Sequence, residues 1–179
     1  MLKVFHFPQF IVGALCVVIL LGVFDVYANG ASSQHPVSIA KVQIGSDGRI
    51  HIFDSRSEEF IPPAEEEQVG VDQPKISENK QVAGWLVNFK NCCTSYPIPL
   101  TLVIYQPGKP LEKFGDGLMI GGWFFVDGGR HIVFSSNTVH PNGPSNYELH
   151  DVSGGRLLHK WSGEPGKHSP KWTRVFEQP

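Results

Sequence analysis

Apolar positions fall into two regimes along the chain. Residues 10–24 make one nearly unbroken apolar run, whereas from residue 42 onward the apolar residues come in short bursts separated by turn chemistry. Val42-Gln43-Ile44, the turn signal Asp47-Gly48 and the run Ile50-His51-Ile52-Phe53 predict a hairpin. Residues 56–76 are acidic and poor in apolar side chains, with Pro62-Pro63 and Glu65-Glu66-Glu67 inside them. They predict a long solvated loop, the one place where a short helix is expected. From Pro74 onward strand signals follow one another: residues 82–87, 100–105, 121–126, 131–134, 147–152 and 157–161. Gln106-Pro107-Gly108-Lys109, Pro141-Asn142-Gly143-Pro144 and Ser153-Gly154-Gly155-Arg156 punctuate them. No stretch sustains a 3.6-residue apolar period, so the pattern predicts an all-β, antiparallel fold.

The second half also repeats itself. Residues 74–85 and 122–134 each read as strand, polar turn, basic residue and apolar strand, and a loop and second hairpin follow each, at 102–114 and 148–161. Matching Lys80 to Arg130 gives an offset of 50, and matching Phe114 to Trp161 gives 47. A four-strand unit of that length is the size of a propeller blade. Residues 126–134, with an Asp-Gly turn between strands, and 147–157, with a Gly-Gly turn, resemble the blades of TolB-like and WD40-like β-propellers. The resemblance spans residues 74–161 and implies blade-like antiparallel hairpins. Closure of a propeller takes 4–8 blades, and this chain holds two or two and a half. Its expected form is a partial propeller, a sandwich or an open barrel. Residues 91–100 depart from the blade pattern and resemble stretches of secreted bacterial proteins, which implies no activity.

The first regime changes the reading of the whole chain. Lys3, the run 10–24 and Val26-Tyr27-Ala28, with small or branched residues at −3 and −1, predict a signal peptide over residues 1–28. About 15 apolar residues fall short of the roughly 20 that a spanning helix needs; an uncleaved N-terminal anchor is the alternative. Residues 29–73 are then an N-terminal hairpin and acidic loop with a short polar lead-in, and 74–179 two blade-like repeats. A secreted or periplasmic address is expected. The formal net charge of −2 and the absence of a basic patch interleaved with aromatics point away from nucleic acid.

Export leaves Cys92 and Cys93 as the cysteines of the mature chain. In an oxidising compartment they are expected to bond to each other. Adjacent Cα atoms lie about 3.8 Å apart, below the usual disulfide span of roughly 4.4–6.8 Å, so such a bond would be strained and readily reduced. It would serve redox or ligand contact, or simply stiffen the turn before Pro97 and Pro99; a pair of buried thiols is the remaining alternative.

His131, His150 and His159 could converge across paired strands, but no pair has metal-motif spacing, and no metal or cofactor is expected. Ser135-Ser136, His150 and Asp151 supply the residue types of a triad without its motif. Gly115-Asp116-Gly117 and Gly121-Gly122 lack the strand–loop–helix setting of a phosphate loop.

The expected role is therefore a non-catalytic binding module with a protein or glycan partner. Its expected contact residues are Cys92, Cys93, Tyr96, Trp123 and Tyr147. The alternatives are a small redox protein or enzyme built on the paired cysteines, and a structural protein self-associating through a β-edge into a homo-oligomer.

Overall fold

Ala83-Gly84-Trp85-Leu86-Val87 has no polar side to its pleat, and the fold is built around that fact. A strand buried on both faces reads as a continuous apolar run rather than an alternation. The computed structural model describes residues 37–92 and 94–177. Its strands form three antiparallel sheets, each made of neighbours in sequence order. The first contains β1 (Ile39–Ile44), β2 (Ile50–Asp54) and β3 (Glu59–Phe60). The second contains β4 (Gln68–Ile76), β5 (Ala83–Phe89), β6 (Ile98–Tyr105) and β7 (Glu112–Phe114). The third contains β8 (Met119–Val126), β9 (His131–Asn137), β10 (Ser145–Asp151) and β11 (Leu157–Gly163). The all-β antiparallel expectation holds, and the described residues close no barrel.

The second sheet is the middle layer. Ala83, Trp85, Val87 and Val103 face the first sheet, where Ile39, Ile50 and Ile52 meet them. Leu86, Leu102 and Ile104 face the other way and pack with Ile120, Trp123, Ile132 and Phe134 of the third sheet. Successive side chains of a strand point to opposite faces, so β5 and β6 feed two cores at once.

The two four-stranded meanders repeat, as the sequence offset predicts. After β4 the N–H of Lys80 donates to Ser77 O at 2.9 Å; after β8, 50 residues later, that of Arg130 donates to Asp127 O at 3.4 Å. The two turns touch, and a Cβ on Gly129, which has φ 93°, would lie 2.5 Å from the Ser77 Cβ.

Two sequence expectations change. Residues 56–76 are not one loop: they hold β3 and the nine-residue β4, so the first meander begins at Gln68 rather than Pro74. Pro74 fits because β4 is an edge strand, with a bulge between Asp72 and Lys75 and Gln73 at φ 48°. Among the described residues the helical turns are Asp127–Gly129 and Lys171–Phe176, neither of them in the acidic stretch. No helix among the described residues is long and apolar enough to cross a membrane. The expected signal segment, residues 1–28, lies outside the described residues.

Candidate functional site

β2 ends at Asp54, and that residue builds the loop which follows. Asp54 Oδ1 accepts the backbone N–H groups of Arg56 and Glu58, each at 2.8 Å, and Oδ2 accepts Arg56 Nε at 3.0 Å. The Asp54 N–H donates to Glu58 O, and Ser57, at φ 66°, donates its N–H to Asp54 O. Burial pushes the Asp54 carboxyl up. The Glu58 and Arg56 donors outweigh it, and the group titrates below the ordinary aspartate value. Arg56 Nη2 also donates to Glu58 Oε2 at 2.7 Å, so the guanidinium is held between two carboxylates of the same loop.

This loop delivers β3. Phe60 lies opposite Ile52, and its ring stacks on Tyr105 from the end of β6, with centroids 4.9 Å apart and planes 20° from parallel. The result is a cleft of about 310 Å³ between the first and second sheets. Ile39 and Ile52 form its floor, the two rings its wall, and Asp54, Glu58 and the Pro107-Gly108 turn part of its rim. Burial, with the Asp54 charge second, pushes the Tyr105 hydroxyl above the ordinary tyrosine value, so it stays protonated and able to donate at neutral pH. The cleft offers an apolar floor, aromatic faces and edges, and a polar rim already fixed by its own hydrogen bonds. Phe60 is 38% exposed. That equipment suits binding of a ring-shaped or apolar group.

The contact residues expected from sequence do not come together. Tyr96 is 58% exposed on the loop between β5 and β6, and Thr94 Oγ1 donates to its carbonyl at 2.6 Å. Cys92, on the same loop, is an exposed free thiol, and Cys93 lies outside the described residues, so the expected bond between them is not seen. Trp123 is 0% exposed, pressed between the second and third sheets, with Nε1 donating to Gln73 O at 3.3 Å. Tyr147 is 5% exposed on the opposite face of the third sheet, under Phe176 and beside Trp161. Both rings serve packing where they stand.

The three strand histidines also go separate ways. His131 Nδ1 meets Asp127 Oδ2 at 2.7 Å. His150 lies between Gly155 O and Glu148 Oε2, stacked on Phe134. His159 stacks on Trp172. Asp151 accepts the Ser153 hydroxyl at 2.6 Å rather than meeting His150. Among the described residues no three His, Cys, Asp or Glu side chains gather as a metal-holding group.

A second cleft, of about 410 Å³, lies between the second and third sheets around Lys75. Its ammonium donates to Trp123 O and sits 4.2 Å from the Phe124 ring centroid, and burial pulls its pKa down.

Sequence reasoning missed Phe60 because its strand is two residues long inside an acidic stretch. Tyr105 was visible only as one aromatic at the end of a strand run.

No family model matches the chain, and no curated protein matches it. Among solved structures it is similar to one titled "Structure of Dos1 propeller", with 10% identity and a TM-score of 0.40 over 70% of this chain. The chain covers 37% of that chain's length. The two four-stranded meanders carry the blade-like description without that likeness.

Proposed function

We propose that this chain is an exported, non-catalytic binding module whose protein or glycan ligand enters the cleft between the first and second sheets. The observation that carries the reading is the stacked Phe60–Tyr105 pair standing over the Ile39–Ile52 floor on a hydrogen-bonded loop. Exposed aromatic surface held rigid before binding costs little entropy to use, and aromatic anchors carry a large share of interface energy. The test is a comparison on glycan and peptide arrays of the wild type with Tyr105→Ala and Phe60→Ala. At least one probe class should bind the wild type and be weakened about 30-fold or more by either variant, the loss that marks an aromatic hot spot. Equal binding by all three proteins, or retention of no probe, would contradict the reading.

Export rests on the run 10–24 and the Val26-Tyr27-Ala28 site. N-terminal sequencing of the processed protein should begin at Asn29; a chain that keeps its first 28 residues counts against export with cleavage.

A second reading takes Cys92-Cys93 as a redox pair, favoured by the exposure of Cys92 on its loop. An intact mass 2 Da below the fully reduced value would support it, and two alkylatable thiols in the exported protein would remove it.

A further inference from the structure

His51 stands between carboxylates from two different elements. Its Nδ1 meets Glu59 Oε1 of β3 at 2.6 Å, and its Nε2 meets Asp47 Oδ1 of the β1–β2 turn at 2.9 Å. A neutral imidazole has one N–H and one bare lone pair. It can donate to one of these carboxylates and must turn a lone pair toward the other. An imidazolium donates to both.

The backbone is shaped to admit the ring. A Cβ on Gly45 would lie 2.3 Å from His51 Nε2. Asp47 is itself fixed, accepting the Arg49 N–H at 3.1 Å. The other charges nearby are turned elsewhere: Arg49 Nη2 donates to Pro62 O, and Lys41 lies over the Phe53 ring. From β1 the residue opposite His51 is the neutral Gln43.

The strand on the far side of this bridge is the one that carries the cleft wall. β3 is only Glu59 and Phe60, paired to β2 by two residues. So short a strand has little ladder of its own, and among the described residues the Glu59–His51 contact is its one side-chain hydrogen bond to the rest of the first sheet.

We propose that His51 is a proton-operated staple: protonated, it ties the β1–β2 turn to β3 and holds Phe60 against Tyr105; on losing its proton it frees β3 and opens the cleft wall. As regulation of the cleft, this rests on the binding reading above. The hydrogen bonds to Glu59 and then to Asp47 raise the His51 pKa above the ordinary imidazole value, and those from His51 and Arg49 lower that of Asp47. The stability that His51 adds is thus complete below its ordinary value of about 6.5 and is lost as pH rises through the raised one. On the acid side the Asp47 half of the staple is lost as that carboxyl protonates, below its ordinary value.

The test is an NMR titration of the unliganded protein that follows the His51 ring and the Phe60 ring resonances together. Phe60 shifts report its stacking on Tyr105, because a ring in a stacked pair feels its neighbour's ring current. The Phe60 shifts should move with the His51 midpoint in the wild type. They should stay at their high-pH values throughout in His51→Gln, while third-sheet signals follow the same course as in the wild type. Should His51→Gln fail to fold, Glu59→Gln gives the same test: removing one carboxylate should lower the His51 midpoint and weaken the Phe60 response. Phe60 shifts that stay flat through the His51 titration, or that titrate identically in the variant, would overturn the staple. No ligand enters this experiment, so its failure leaves the cleft to the array comparison, and failure of the arrays leaves the staple standing.

Discussion

Glu148 is a half-buried carboxylate that the fold keeps charged. It is 14% exposed, with Lys160 Nζ at 2.7 Å and His150 Nε2 at 2.9 Å. Burial pushes its pKa up, but the Lys160 and His150 donors prevail, and it titrates below its ordinary value of 4.5. A depressed carboxylate stabilises the fold above its ordinary pKa and loses that contribution as pH falls through the folded one. The wild type should therefore lose stability to acid below about pH 4.5 more steeply than Glu148→Gln, as read from urea midpoints across pH. Trp123 makes a second residue-scale case. Its side chain is 0% exposed and carries the Lys75 ammonium 5.0 Å from its ring centroid. Trp123→Ala should cost about 3–5 kcal/mol, seen as a lower urea midpoint. Sequence marked Trp123 as a contact residue because alternation shows that one face of a strand is apolar, not whether a second sheet covers it. Cys92 and Tyr96 were correctly placed on a loop, since Pro97 and Pro99 announce one and nothing apolar competes.

Turns and edges set how much of each element the sequence reveals. The β8–β9 turn is legible from Asp127-Gly128-Gly129, and the structure uses all three residues at positive φ. Gly129 also admits Ser77 of the equivalent turn. Gly129→Ala should cost about 1–3 kcal/mol in thermal or urea unfolding, through both backbone strain and that contact; a neutral result would show that the paired turns are not tightly packed. β4 was hidden because Gly70, Asp72 and Pro74 are residues that strands avoid, and an edge strand tolerates them. The C-terminal turn Lys171–Phe176 was hidden for another reason: its apolar side chains have no helical period and make sense only against β8 and β10. Phe176 meets Phe124 at 5.0 Å and Tyr147 at 5.1 Å. Phe176→Ala should cost about 1–2 kcal/mol and increase the fluorescence of a solvatochromic dye by uncovering Tyr147; unchanged dye binding would show that the turn does not shield that face.

At the largest scale, the described residues stack three sheets. The outer face of the first sheet presents Lys41, Gln43 and His51, while the far face of the third lies under the C-terminal turn. Terminal units of repeat stacks have polar or covered outer faces, and among the described residues these two faces fit that description. The blade-sized repeat was readable because its turns recur at a fixed offset. The cleft was not, because Phe60 and Tyr105 belong to different sheets and only the stacking of those sheets brings them together. The central claim is that this cleft, rather than the Cys92–Tyr96 loop, is where a ligand binds. Amide and aromatic NMR shift mapping with the best-retained array probe tests it most directly. Perturbations should concentrate on Phe60, Tyr105, Gly108 and Asp54, with residues 90–97 silent. Perturbations confined to residues 90–97, with Phe60 and Tyr105 unmoved, would contradict it.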